Sequence, residues 1–285
     1  MSTRQIGTVS QLFRYPVKST RGEGLERVGV SPLRMYGDRL WAFRDMERNE
    51  TANAKHNAKL LEISSRLHEE DGRLQAILTM PDGTVTSSDD GLSGELASRL
   101  TGRSLKLFGL LPASDKDHYS RVSPPPEEMD SYLRQMLALR EDEPLPDFSD
   151  LPQEAIDFVS IPGTYYDAAP LHMVLLSELQ ELQAALPDTH LPVARFRPNI
   201  VVDDLDMPAV STDLLGKTLM LGNITVTADI MATRCAMTIH AQGDLARAPE
   251  IMRILVKEWK HCFGIYVTPV QSGEIAVGDT ISLSA

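Results

Sequence analysis

Leu219-Met-Leu-Gly-Asn-Ile-Thr-Val-Thr-Ala-Asp-Ile-Met-Ala-Thr-Arg-Cys235 is the stretch on which the fold turns. Leu219, Leu221, Ile224, Val226 and Ala228 lie on either side of Gly222-Asn223, the pattern of two strands joined by an Asn-containing turn. The second strand runs into a segment in which Arg234 directly precedes Cys235, one of only two cysteines. A thiolate beside a guanidinium is stabilised by charge. It can then act as a nucleophile, a persulfide carrier or a soft metal ligand. The plainer alternative is a cysteine packing on an apolar strand as a small hydrophobe.

Further short strands surround this one. Val9, Leu12 and Phe13 predict a strand, Leu25, Val28 and Val30 a second, and Leu40 to Phe43 a third, with Gly22, Gly24, Pro32 and Gly37 between them. Leu74 to Met80 and Thr84 to Thr86 flank a Pro81-Asp82-Gly83 turn. Leu92 to Leu100 predicts a short helix and Leu105 to Phe108 a strand. Ser177 to Gln180 has capping-box spacing ahead of Leu182 and Leu186, and Ile200 to Val202 is a buried-strand pattern. Ile251, Ile254, Leu255 and Trp259 form a helical stripe, followed by strand patterns at Phe263 to Val267 and Thr280 to Leu283. Many short strands with regular turns predict a small barrel or sandwich, and the chain as a whole a mixed α/β, β-rich fold.

The character changes in the middle. Pro124-Pro125-Pro126 and Glu141-Asp142-Glu143-Pro144 are poor core material, although Met129, Tyr132, Leu133 and Met136 share helical spacing. The chain divides into a first domain over 1–122, a linker or lid over 123–160 and a second domain over 161–285. For the middle piece a solvated linker is the favoured reading.

The 285 residues carry a net charge of -12, which argues against coating nucleic acid or an anionic membrane. A local cluster of cations can still hold a small anion. Two cysteines, Cys235 and Cys262, make no disulfide scaffold and no Cys₄ cluster, so a reducing compartment is expected. No apolar leader region and no run of about 18 apolar residues is present, which predicts a cytoplasmic protein.

Four short stretches couple a cation with a turn-forming or hydrogen-bonding neighbour: Tyr15-Pro-Val-Lys-Ser19, Gly37-Asp38-Arg39, Arg195-Phe-Arg-Pro-Asn199 and Thr233-Arg-Cys235. Each alone has an ordinary explanation. Lys18-Ser19 reads as a turn, Asp38-Arg39 as a surface pair, and Arg195 and Arg197 as one solvated face of an extended segment. His172 reads as a satisfied core residue, Cys262 as packing, and Asp203-Asp204-Leu-Asp206 as a solvated turn. Together the stretches describe an anionic ligand held by Lys and Arg near a reactive thiol.

These stretches, with Phe263-Gly-Ile-Tyr266 and Gly273-Glu-Ile-Ala-Val-Gly-Asp279, resemble the MOSC family. That family includes the C-terminal domain of molybdenum cofactor sulfurase and the amidoxime-reducing components. The resemblance spans about residues 9 to 283 and implies an N-terminal MOSC β-barrel-like domain, then a MOSC β-barrel domain with peripheral helices. It also implies a molybdenum–molybdopterin cofactor (Moco). Cys235 would ligate the metal, and Lys18, Ser19, Arg39, Arg197, Asn199, Thr233, Arg234 and Tyr266 would contact the pterin or its phosphate. The implied activity is reduction of N-hydroxylated or N-oxide compounds, with electrons from a separate flavoprotein, ferredoxin or cytochrome-type partner. The alternative is non-enzymatic cofactor binding or delivery, or sulfur carriage as a Cys235 persulfide. The sequence departs from the family at Asn53-Ala54-Lys55-His56, where Thr-Ala-Arg is usual, at Ala169 in place of a serine, and after the cysteine, at Ala241-Gln-Gly-Asp244.

Overall fold

The Gly222-Asn223 turn forms, and the two strands it joins belong to a barrel. In the computed structural model, which describes residues 4–206 and 208–284, seven strands close on themselves. They are β1 (Arg4–Arg14), β2 (Leu171–Leu175), β3 (Ile200–Asp203), β4 (Thr218–Leu221), β5 (Ile224–Thr233), β6 (Cys262–Pro269) and β7 (Thr280–Leu283). The order round the barrel is β1-β3-β2-β6-β5-β4-β7 and back to β1. Every pairing is antiparallel except β2 with β3. Met1 to Thr3, on which the expectation of no leader partly rests, lie outside the described residues.

Side-chain alternation explains the closure. Ile224, Val226 and Ala228 of β5 face a core shared with Val9, Leu12, Met173, Ile200, Leu219, Ile265 and Ile281. The β2 strand is buried along its whole length, Leu171 to Leu175. Its outward Val174 joins Val201, Leu182, Ile251, Leu255 and Phe263 in a second cluster beneath helices Leu176–Ala185 and Glu250–Glu258. A strand covered on both faces reads as a continuous apolar run.

The first part of the chain is spread over two places. Strand Arg27–Ser31 pairs with Gly273–Ala276, and β1 sits between β3 and β7. The expected division, 1–122 and 161–285, is thus crossed by three strand pairings. The rest of the first part builds its own sheets. Trp41–Asp45 pairs with Leu105–Gly109, and Ser64–Glu70, Arg73–Thr79 and Val85–Ser87 form a meander. Helix Leu92–Thr101 covers a core of Phe43, Leu60, Leu61, Ile63, Leu78 and Ala97. The chain is mixed α/β and β-rich, as its patterning predicts.

Two local expectations differ from what is found. Ser177 is not an N-cap: the helix begins at Leu176, and Ser177 Oγ donates to Asp204 Oδ2 at 2.5 Å. Asp204 is accordingly not in a solvated turn. It is buried and also accepts the backbone N–H groups of Ser177 and Ala209. The carboxylate does from across the chain what a capping hydroxyl does locally. No helix among the described residues is long and apolar enough to cross a membrane.

Candidate functional site

Register shifts in the β5–β6 pair deliver the key cysteine. The ladder slips between Met231 and Thr233, and Thr233 is the last paired residue, opposite Cys262. Such a slip bends a strand and re-aims the residues beyond it. Arg234 donates its N–H to His261 O at 2.8 Å and its guanidinium to Phe196 O at 2.7 Å, so the chain leaves the sheet in a fixed direction. Cys235 comes next, a half-buried free thiol packed against the core of the first part of the chain. The Cys235 carbonyl accepts from both the N–H and Oγ1 of Thr238. Cys262 is also free, so no bridge joins the two.

A pocket of about 160 Å³ opens beside Cys235, lined by Thr233, Arg234, Arg39, Arg197, Lys55, Asp167, His172 and Tyr266 among others. A smaller hollow of about 60 Å³ shares Arg39, Asp167, His172, Arg197 and Tyr266 with it and adds Lys18, Ser19 and Asn199. Every residue expected to contact the cofactor thus lines one of two adjoining spaces. Six cations line them, Lys18, Arg39, Lys55, Arg121, Arg197 and Arg234, against the single carboxylate of Asp167. In a chain of net charge -12 this is a concentrated positive field.

Three of these residues have left-handed backbones: Ser19 (φ 67°), Arg39 (φ 49°) and Arg197 (φ 55°). Side chains other than glycine rarely adopt that region, and such outliers cluster where function requires them. Each is held by its surroundings. Ser19 Oγ accepts the Ala54 N–H at 3.1 Å, Arg39 donates its N–H to Tyr15 O at 2.8 Å, and Arg197 closes the 3₁₀ turn Val193–Phe196. Tyr15 lies under both guanidiniums, 4.2 Å from Arg197 and 5.3 Å from Arg39. Its hydroxyl donates to Pro198 O at 3.0 Å, and burial pushes it up to about 12. Asp38, also buried, accepts from the Tyr15 N–H at 2.8 Å and from Arg39 Nη1. Asp38 and Arg39 are therefore not a surface pair.

Arg195 and Arg197 do not share a solvated face. The turn between them sends Arg195 inward, where it donates to the carbonyls of Thr238, His240 and Ala246. Arg195 ties the cysteine loop together, while Arg197 faces the pocket. Asn199 braces the floor. Its Oδ1 accepts the His172 N–H at 3.2 Å and Arg39 Nη1 at 3.5 Å, and its Nδ2 donates to Phe13 O. His172 is a satisfied buried residue, its Nε2 3.1 Å from Phe263 O, and burial together with Arg234 holds it well below its usual range.

The patterning did not single out Lys55, Asp167 or Arg121 as a group. Asp167 bridges Lys18 (2.5 Å) and Lys55 (3.1 Å). Lys18 is the more deeply buried partner, its side chain 6% exposed against 37% for Asp167. Desolvation therefore governs the lysine and lowers it to about 8 despite Asp167. Burial alone would raise the carboxyl, but the two lysines hold Asp167 well below the usual carboxylate range. The available signals were the departure at Lys55 and the Asp167-Ala-Ala-Pro170 motif, which become neighbours only on folding. One wall of the larger pocket comes from the connector: Met136, Leu137, Phe148, Leu151, Ala155 and Val159.

The donor set suits a phosphate-bearing anion together with a soft metal. Buried guanidiniums offer planar forks, Arg234 Nε is buried without a protein partner, and a free thiol stands at the pocket edge. Among the described residues no group of three His, Cys, Asp or Glu could hold a metal unaided. Any metal at Cys235 would thus need most of its ligands from a cofactor.

The class is that of a closed β-barrel protein with a cluster of cations gathered beside a free thiol. The chain belongs to the MOSC family: the MOSC domain matches over residues 162–282 and the MOSC N-terminal beta barrel domain over 6–97. It is 24% identical over 300 residues to mitochondrial amidoxime-reducing component 1 of Mus musculus, covering 98% of this chain and 83% of that one. Among solved structures, the YuaD protein of Bacillus subtilis matches at 10% identity and a TM-score of 0.45, covering 99% of this chain and 96% of that one. YiiM of Escherichia coli matches at 12% identity and a TM-score of 0.33, over 41% of this chain and 55% of its own.

Proposed function

We propose that this chain binds a pterin-based molybdenum cofactor and works as an oxidoreductase that reduces N-hydroxylated or N-oxide compounds. The observation that carries this reading is the convergence of six cations on two adjoining hollows beside the free thiol of Cys235. Membership of the MOSC family supports the cofactor, and the relative named an amidoxime-reducing component supports the reaction class. When bound, the cofactor supplies a metal that changes oxidation state and transfers oxygen.

The residues divide the work. Cys235 would hold the metal through its thiolate, and Lys18, Arg39, Arg197 and Arg234 would hold the anionic part of the pterin. Ser19, Asn199, Thr233 and Tyr266 complete the lining. Asp38 and Tyr15 orient Arg39 and Arg197, so the forks are set before any ligand arrives. Two cysteines are too few for a four-cysteine iron–sulfur cluster, and in this proposal electrons come from a separate donor protein.

The test is metal and pterin analysis of protein from a molybdate-fed host, for wild type and Cys235→Ser. Wild type should carry one molybdenum per chain, and the variant should lose roughly tenfold or more. A wild type with neither molybdenum nor pterin overturns the reading. Reoxidation of reduced protein by an N-hydroxylated compound separates reduction from mere cofactor storage or delivery.

A further inference from the structure

The connector is rich in acidic residues, yet it shows the pocket none of them. The six connector residues on the larger pocket, Met136, Leu137, Phe148, Leu151, Ala155 and Val159, are all apolar. Its carboxylates point elsewhere: Asp130 to Arg134, Glu143 to Arg253, Asp147 to the Ser149 N–H. The same space is lined by Cys235, Lys55, Asp167, Arg121 and Arg234. The lining therefore mixes two kinds of surface: charged groups and the thiol from the rest of the chain, Arg121 among them, and only apolar side chains from the connector.

The connector is fastened from both halves of the molecule. Arg253, on the helix Glu250–Glu258, donates to Glu143 and to Ala138 O. Arg121 donates to Ala155 O at 3.1 Å and Phe158 O at 2.7 Å, and Arg134 donates to Arg140 O and Glu143 O, each at 2.7 Å. His56, from the first part of the chain, stacks on Tyr132 at 5.4 Å. These contacts go to backbone carbonyls, to Glu143 and to Tyr132, so the wall is positioned without using the six side chains that line the pocket. Of the six, Met136, Phe148, Leu151 and Ala155 are half-buried and open to a ligand.

We propose that residues 123–160 form the substrate-selecting wall of this site, favouring uncharged N-oxygenated compounds with an aryl or branched-alkyl body over small polar ones. The inference rests on the reductase reading above. The connector's own lining side chains have nothing to pair with an oxygenated nitrogen, and an unpaired polar group against them is costly, so the head is directed to the charged groups and the thiol of the lining. An apolar body covers the wall and removes that surface from water. A methyl-sized body leaves most of it uncovered. Contacts of this kind discriminate by roughly 10- to 200-fold.

The experiment compares benzamidoxime with acetamidoxime, which share a head and differ in body. Cofactor-loaded protein and its electron donor are used for wild type, Phe148→Ala/Leu151→Ala and Phe148→Leu. The ratio of kcat/KM, aryl over methyl, should fall about tenfold in the double alanine variant and stay within about threefold of wild type in Phe148→Leu. Calorimetric binding of benzamide against acetamide provides a second readout, and its preference should fall by a similar factor. An unchanged ratio in both assays, with the variant folded, overturns the proposal. If wild type prefers benzamide but reduces neither amidoxime, the wall stands and the reductase reading fails. If it reduces both equally and binds both amides alike, the wall fails and the reductase reading stands.

Discussion

A β-carbon on Gly264 would lie 2.5 Å from His172 Nε2 and 2.6 Å from Met173 O, at a backbone φ of 77°. Gly264→Ala therefore strains the β6 backbone and pushes on the His172 ring, which packs at a tilt against Tyr266 with centroids 5.5 Å apart. Urea unfolding should show a loss of about 2–3 kcal/mol, and a loss near zero would contradict this packing. The glycine of Phe263-Gly-x-Tyr266 is thus required by a neighbour rather than by a ligand. Lys18 gives a pH signature. Its folded pKa, about 8, lies below the free value of 10.5. Between these values the unfolded chain binds more protons, so stability rises with pH across that window, while below 8 the full cost of the buried ammonium remains. Lys18→Met should flatten this rise in urea unfolding of protein prepared without cofactor. A rise unchanged in the variant would assign it to another group. At this scale the motif cations were legible because each sits beside a turn former. Lys55, Asp167 and the platform role of Tyr15 were not, because their partners are far away in sequence.

Among the elements, the strands were the most legible. Residues 219–228 alternate, and the Gly222-Asn223 turn fixes which side chains face in. The helix at Leu176–Ala185 was displaced at its start because the carboxylate of Asp204 answers Ser177 from 27 residues away. No local pattern contains that partner. In the connector, the spacing of Met129 to Met136 predicted the helix Met129–Leu137, but composition pointed to a solvated linker. Composition misled because the acids are on the outside and a few apolar residues do the packing. The strap through Arg253 is testable by itself. Arg253→Ala should cost only about 1 kcal/mol globally, since ion pairs near the surface contribute little. It should nevertheless speed limited proteolysis within residues 138–152 several-fold, as a locally loosened segment opens more often. An unchanged cleavage pattern would show that the strap does not hold the wall.

In the whole molecule, the barrel draws its strands from both ends of the chain. Thr8 pairs with Asp203 on one side and Thr280 on the other. Periodicity could mark both strands but could not say that they meet, because pairing across such a separation leaves no local trace. A fragment of residues 161–285 would lack β1 and expose unpaired edges on β3 and β7. It should show no cooperative unfolding transition and little near-ultraviolet circular dichroism. A sharp transition in that fragment would show that the barrel closes without β1. The same pairing sets a timetable for the newly made chain. At about 5–20 residues per second, Thr8 leaves the ribosome roughly 15 to 55 s before Thr280 does. During that interval the sheets centred on Phe43 and Leu78 can form, while the first strand stays without its final neighbour. It is then a natural binding site for a chaperone that recognises extended apolar segments.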